Sequence, residues 1–355
     1  MKVVIIGGGP AGLATGLNLL DRVKQTIVLE KQPKIKSTTC AEACDFKSLK
    51  KLPFDSTPYI SKEIKGTELF FPYGYSFSFT SKAVVLDRTK WLNGMAEEFT
   101  KRGGLLKTNS TVKSISNKSV ILENGKKIDY DVLIGADGPY SVVRKYLGIK
   151  NELVHCVQYK IKHDTSNLDY LQFYCDNRFS LQYSYVFPKK NSLNVGLMGK
   201  FRQLDKFLEY LKLDKKNIIA KEAGAIPVSG VPKKIVKDNI ALIGDAASIV
   251  NPLSGGGLSP IFFAALKLSE NIYELQQYNK IITNHYISKP CIVKARKTVL
   301  NSNNDELAKM GKVFDGKKLE DLRFYNLFGV LKHPLLIPKF FRIKKGLDLT
   351  LYWGW

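Results

Sequence analysis

Acidic side chains are scarce in this chain: 32 Asp and Glu stand against 55 Lys and Arg in 355 residues, a formal net charge of +23. Such an excess calls for an anionic partner, of which nucleic acid, an anionic membrane surface and an acidic protein are the general classes. Nucleic acid is set aside, because no helix-turn-helix, zinc-finger or aromatic RNA-binding signature accompanies the lysines. Cysteine is sparse as well. Cys40, Cys44, Cys156, Cys175 and Cys291 are an odd set of five without a C-x-x-C pair. That excludes a disulfide framework, argues against a metal centre and fits a reducing compartment. The four histidines, His155, His163, His285 and His333, lie outside the motifs below and read as structural or surface residues. Internal repeats and low-complexity tracts are absent, and the first strand follows Met1 directly, leaving no room for a cleavable signal peptide.

What is present begins at the N-terminus. Residues 2–6 are a short β-branched run fit for a buried strand, and residues 13–20 continue with helical apolar spacing. Between them Gly7, Gly9 and Gly12 form G-x-G-x-x-G, with Pro10 and Ala11 inside the motif. The first glycine permits the tight turn, the second lets a pyrophosphate approach the backbone, and the third allows helix and strand to pack closely. The next strand ends in Glu30, followed by Lys31, where a carboxylate can accept hydrogen bonds from ribose hydroxyls. This fingerprint alone leaves NAD and FAD both open.

Two distant segments decide between them. Residues 131–144 run from a hydrophobic strand into Asp137, Gly138 and Arg144. Residues 240–247 form a second strand ending in Gly244 and Asp245, followed by Pro252, Gly255, Gly256, Gly257 and an apolar helix from Leu258. An acid at such a strand tip can hold ribityl hydroxyls, and a glycine run opening a helix lets backbone amides approach a flavin ring. With Asp87 and Arg88, this ordered set resembles the FAD flavoproteins of the aromatic-hydroxylase type, including the geranylgeranyl reductases. The resemblance implies FAD as cofactor, held by these residues together with Val112 and by Cys40 and Ala41 near the ring.

The branch is indicated by residues 183–196, YSYVFPKKNSLNVG. They resemble the substrate-domain signature of the geranylgeranyl reductases at Tyr183, Phe187, Pro188, Val195 and Gly196, with Tyr185 where that family usually has Trp. Alternation in a strand puts positions 183, 185 and 187 on one face. Three rings there suit either the wall of an isoprenoid tunnel or an aromatic core stripe. Residues 39–43, TCAEA, resemble the family's Cys-Gly-Glu-Gly stretch, with Ala41 and Ala43 replacing both glycines. Cys40 is the candidate pocket residue; no general acid is identified, and substrate-domain tyrosines or an ordered water remain open as donors.

The expected fold is α/β: a Rossmann-like FAD-binding domain (1–57, 83–150 and 225–289) interleaved with an antiparallel-sheet substrate domain (58–82 and 151–224). A basic helical segment (290–355) follows. Its last part, residues 324–355, mixes Phe, Leu and Trp with Lys and Arg. It lacks the roughly 18 uninterrupted apolar residues of a membrane span, and it suits either the interface of an anionic membrane or packing on the core. The resemblance implies an FAD-dependent reductase of C=C bonds in the prenyl chains of membrane lipids, cytoplasmic and peripheral on the membrane's inner face. Its electrons would come from reduced ferredoxin or NAD(P)H. A monooxygenase or halogenase of the same fold, and a non-catalytic electron-transfer or isoprenoid-binding flavoprotein, are the alternatives.

Overall fold

Lys2–Ile6 and Val132–Gly135 carry almost uninterrupted apolar, mostly β-branched side chains and are buried on both faces, as central strands of a parallel sheet must be. The computed structural model describes residues 1–36, 39–318 and 334–352. Around Lys2–Ile6 a six-stranded sheet assembles, with Gln25–Leu29 and then Leu105–Lys107 on one side and Val132–Gly135 and then Ile240–Leu242 on the other, all parallel. Val236–Lys237 closes one edge antiparallel. Helices Pro10–Leu19, Arg88–Lys101 and Leu258–Glu270 contribute to one continuous core with this sheet, in which Trp91, Phe99 and Phe262 are fully buried.

The second sheet has eight strands, in the order Ile218–Pro227, Leu153–Lys162, Ser192–Met198, Ser184–Pro188, Tyr170–Tyr174, Ile60–Phe70, Ser76–Leu86 and Ala43–Asp45. It is antiparallel except where Tyr170–Tyr174 pairs parallel with Ile60–Phe70. A parallel pair needs a long crossover, and here the chain between the two strands passes through Leu105–Lys107 and Val132–Gly135 of the six-stranded sheet. One face packs on helix Phe201–Tyr210 through Val157, Val195, Leu197 and Phe207. The other gathers Ile64, Ala83, Val85, Leu171, Tyr185 and Phe187, with Ala41 and Tyr183 beside them. Ala43–Asp45 and Ala83–Leu86, grouped on sequence with the nucleotide segments, hydrogen-bond within this larger sheet.

Helical spacing predicts a helix over 204–221, but the helix ends at Tyr210. Lys212 takes a positive φ of 55°, and Asp214 caps a short turn by accepting from the Lys216 amide at 2.8 Å. The chain then enters strand Ile218–Pro227, which pairs along Leu153–Lys162. Tertiary pairing overrides the local helical pattern there.

The C-terminal segment is helical where described. Pro290–Leu300 and Ile337–Tyr352 pack on each other, enclosing Ile292, Ala295 and Val299 with Leu253. His333 and tail residues 324–332 and 353–355 lie outside the described residues. No helix among the described residues is long and apolar enough to cross a membrane.

Candidate cofactor and substrate site

Strand Lys2–Ile6 ends at Gly7, whose φ of +108° suits only glycine, and helix Pro10–Leu19 starts three residues later with Gly9 as its N-cap and Pro10 in its first turn. A Cβ on Gly12 would stand 1.9 Å from the Gly7 carbonyl oxygen, so strand and helix touch at that point. At Gly9 a Cβ would meet nothing within 4 Å. The backbone there has an open face beside a helix N-terminus, which suits a pyrophosphate.

Glu30 closes over the turn. One carboxylate oxygen accepts the Gly8 amide at 2.8 Å and the other the Gln32 amide at 2.9 Å. Ser110 donates its amide to the Glu30 carbonyl at 2.9 Å, which ties the loop before Val112 to the same place. Val112 itself is buried in the core, whereas Lys31 is exposed.

The second limb meets the first directly. A Cβ on Gly244 would lie 2.7 Å from the Ala11 side chain, so the 244–247 turn sits against the nucleotide helix. Arg144, 2% exposed, is a strut here: its guanidinium donates to the Ala246 carbonyl at 2.9 Å, Ser248 Oγ at 3.0 Å and the Lys150 carbonyl at 3.0 Å. Burial lowers its pKa to about 10. Asp137 accepts from the Val142 amide at 2.6 Å and from Ser141 Oγ, capping helix Val142–Tyr146 beside Gly138. Desolvation raises its pKa against those hydrogen bonds.

Asp245 accepts no hydrogen bond on its carboxylate among the described residues. It keeps some solvent access, yet desolvation raises its pKa to about 6, with the positive charge of Arg88 pulling the other way. Arg88, 6% exposed, donates through Nη1 to Cys40 Sγ at 2.7 Å, while its Nε is buried without a partner. A carboxylate without donors, a guanidinium N–H without an acceptor and the open backbone face at Gly9 are the complement of a ligand rich in hydroxyls and phosphates. These residues fit FAD: Gly9 and the helix N-terminus for pyrophosphate, Glu30 for the adenosine ribose, Asp245 and Arg88 for ribityl hydroxyls and phosphate.

The sign of the Asp245 shift yields an expectation. Without ligand the folded chain prefers the protonated acid, so this group's stabilising contribution is present below the ordinary carboxylate range and is lost as pH rises through about 6. Hydroxyl donors from bound FAD favour the charged form instead. FAD affinity, followed by quenching of flavin fluorescence, is expected to strengthen as pH rises through about 6, and Asp245→Asn to flatten that dependence.

Above this lies residue stretch 39–43. Glu42 adopts a positive φ of 71° and is 1% exposed, so a left-handed turn forms here at a non-glycine residue, between the two alanines that replace the family's glycines. Its carboxylate is clamped. Lys189 Nζ lies at 2.6 Å, Lys160 Nζ at 3.2 Å and Asn194 Nδ2 at 3.0 Å, and Asn194 also donates to the Ala41 carbonyl at 3.0 Å. Cys40 Sγ accepts the Glu42 amide at 3.3 Å. All five cysteines are free thiols, and burial pushes Cys44 up and Cys156 and Cys175 to about 12.

The rings at 183, 185 and 187 do share one face. Centroids are 6.4 Å apart for Tyr183 and Tyr185, 5.0 Å for Tyr185 and Phe187, and Phe173 lies edge-on at 5.3 Å from Tyr183 and 5.2 Å from Phe187. Pro188 ends the strand, buried. Tyr183 donates its hydroxyl to the Ser254 carbonyl, so the aromatic wall meets the loop from Pro252 to Gly257. Tyr185 donates to Gln158 Oε1 at 2.8 Å, Gln158 donates to Glu222 at 2.9 Å, and Glu222 pairs with Lys160 at 3.0 Å. A polar chain therefore runs from Tyr185 to Glu42. Gly196 makes room for it, since a Cβ there would stand 2.3 Å from the Tyr185 hydroxyl.

Several residues of the site escape a motif reading. Asn251, 1% exposed, shapes the glycine loop by accepting the Leu253 amide at 2.9 Å and donating to Thr350 Oγ1 at 2.8 Å. Gln182 donates to the Pro252 and Leu253 carbonyls at 3.0 and 2.8 Å and accepts from Arg296 Nε at 3.0 Å. Thr350 and Arg296 of the C-terminal helices thus hold, through Asn251 and Gln182, the loop that leads into helix Leu258–Glu270.

A family model described as lycopene cyclase protein matches residues 2–314. The digeranylgeranylglycerophospholipid reductase of Methanococcus vannielii is 31% identical over 72% of this chain and 73% of that protein. That of Methanosarcina acetivorans is 27% identical over 93% and 92%. The chain belongs to the lycopene cyclase protein family and to that of the digeranylgeranylglycerophospholipid reductases. A geranylgeranyl bacteriochlorophyll reductase-like protein of Thermoplasma acidophilum superposes with a TM-score of 0.82 at 23% identity, covering 98% of both chains, and has the same fold. HpxO of Klebsiella pneumoniae complexed with FAD shares the fold at a TM-score of 0.70 and 16% identity, covering 94% of this chain and 100% of that one. The FAD-type flavoprotein fold inferred from the motifs is therefore that of the molecule.

Proposed function

We propose that this chain is an FAD-dependent reductase that hydrogenates isolated C=C bonds in the geranylgeranyl chains of membrane lipids or their precursors. The observation that carries the reading is the junction at Ser254, where a wall of four aromatic rings meets the glycine loop of a nucleotide site, in a chain whose relatives are named digeranylgeranylglycerophospholipid reductases.

An isolated alkene is not polarised by a carbonyl, so its reduction needs a hydride, a proton and exclusion of water. Bound reduced FAD supplies the hydride at flavin N5. The protein's part is positioning. Tyr183, Phe173 and Phe187 offer apolar area to a prenyl chain, and Cys40 and Ala41 stand beside the ring space on a stretch fixed by Glu42. Burial raises the pKa of both Tyr183 and Tyr185, which disfavours either as an acid toward an alkene. The basic surface favours an acidic electron carrier such as reduced ferredoxin over NAD(P)H. Lysine-rich helices at the C-terminus support a place at the inner face of the membrane.

Protein reduced with dithionite under anaerobic conditions is expected to regain its yellow colour on addition of a digeranylgeranylglycerophospholipid, with the lipid gaining two hydrogens for each double bond lost. Recolouring only by oxygen, or a lipid product of unchanged mass, would overturn the reading.

A further inference from the structure

Helix Pro290–Leu300 turns Ile292, Ala295 and Val299 inward against Leu253 and the C-terminal helix, and Arg296 inward to Gln182. A second stripe is Lys294, Lys297 and Thr298, continued by the C-cap Asn301, at three, four and seven residues from Lys294, as one helical face requires. Lys339 and Arg342, one turn apart on helix Ile337–Tyr352, complete the lining of a cavity of about 460 Å³. Four cations thus meet in one trough. Lys339 is neutralised by Glu306, 2.6 Å away. Lys294, Lys297 and Arg342 have no acidic partner among the described residues.

Like charges held together without counter-charges are unfavourable, and an anion bound between them relieves that cost. Arg offers a fork and Lys a point charge, the donor set that suits phosphate oxygens. The same C-terminal segment that carries Lys339 and Arg342 also exposes large apolar side chains. Leu335 is 90% exposed and Phe341, adjacent to Arg342, is 53% exposed. A soluble phosphate has no use for such side chains, whereas an amphiphile does.

We propose that this trough is a phosphate-binding site for the headgroup of a glycerophospholipid at a bilayer surface, with Leu335 and Phe341 reaching toward the acyl boundary. Its lining shares no residue with the Pro252 to Gly257 loop, so it is an anchor separate from the prenyl-reducing site. It rests on the reductase reading only in placing the enzyme where a prenyl lipid is drawn from.

The test is co-sedimentation of the full chain with vesicles of phosphatidylglycerol in phosphatidylcholine, for wild type and the triple variant Lys294→Gln, Lys297→Gln, Arg342→Gln. Each lost cation is expected to weaken partitioning about fivefold, and all three about a hundredfold. A control removing the same charge from strand Val112–Ile115 and the turns on either side of strand Ser119–Leu122, Lys113→Gln, Lys118→Gln, Lys126→Gln, is expected to lose less than about fivefold. Equal losses in the two triples would show a general attraction and overturn the site. So would a trough variant that loses inorganic phosphate binding but partitions onto vesicles like wild type, since the ligand would then be a soluble phosphate. Anaerobic reduction of prenyl lipid in detergent micelles is expected to be unchanged in the trough variant. Loss of turnover there would place the trough in the reducing site and overturn its role as a separate anchor, whereas failure of the wild type to reduce the lipid would count against the reductase reading alone.

Discussion

Glu42→Gln is expected to destabilise the protein by about 3–5 kcal/mol, because it strips a buried carboxylate from two lysines that keep their charge. Lys160 retains Glu222 at 3.0 Å, but the Lys189 ammonium has no other carboxylate among the described residues. Glu42→Gly separates charge from conformation. Glycine removes the strain of a positive φ, about 1 kcal/mol, while leaving the same lysines uncompensated. The expected order of stability is therefore wild type, then Glu42→Gly, then Glu42→Ala, measured by chemical unfolding of the FAD-bound protein. If the stranded lysine charge causes most of the loss, Lys189→Met in the Glu42→Gln background restores part of it, a coupling that a double-mutant cycle reads directly. Glu42→Gln within about 0.5 kcal/mol of wild type would show that the lysines find other partners and that the clamp contributes little.

The clamp matters beyond stability because of what it holds. Ala41 presents its carbonyl to Asn194 and its side chain to the aromatic cluster, and Cys40 takes hydrogen bonds from both Arg88 and the Glu42 amide. Released from Lys160 and Lys189, the 39–43 stretch keeps the Asn194 bond to Ala41 but loses both ion pairs that tie it to the substrate sheet beside Arg88. A change in the visible spectrum of bound flavin in Glu42→Gln, at temperatures where the protein remains folded, separates this positioning role from a purely structural one.

The elements legible in the sequence are those whose signal is local. Gly7 to Gly12, Glu30, Gly244 and the 252–257 run each announce a turn or a helix start through residue type alone, and the two limbs do meet at Ala11 and Gly244. The polar network is not legible, and the reason is periodicity. In Leu153–Lys162 and Ser192–Met198 the alternation of Val157, Tyr159 and Ile161, or of Leu193, Val195 and Leu197, with Gln158, Lys160 and Asn194 reads as a sheet with one wet face. In the molecule both faces are covered, so Gln158 and Asn194 are fully buried and serve the site. Alternation reports two faces but not whether the polar one meets water. Asn251, Gln182 and Arg296 escape for a different reason: each makes a contact 70 or more residues away in sequence, such as Gln182 with Leu253 or Asn251 with Thr350, which no window of spacing can contain.

Gly12→Ala and Gly9→Ala are expected to fail in different ways, although both change one hydrogen to a methyl within a single turn. At position 12 the methyl would stand 1.9 Å from the Gly7 carbonyl oxygen, a backbone atom that cannot rotate aside. Strand and helix must separate, and the apoprotein is expected to lose several kcal/mol, as overpacked and strained core sites do, together with its FAD. At position 9 the backbone is extended, with φ of −79° and ψ of −173°, and the added methyl meets no protein atom within 4 Å. Gly9→Ala apoprotein is therefore expected to unfold within about 0.5 kcal/mol of wild type, while its FAD affinity falls roughly a hundredfold because the methyl occupies the approach of the pyrophosphate. Unfolding curves of the two apoproteins, set beside FAD titrations, decide the matter. A Gly9→Ala protein that binds FAD as tightly as wild type would remove the cofactor from this turn, and with it the chemistry assigned to the aromatic wall.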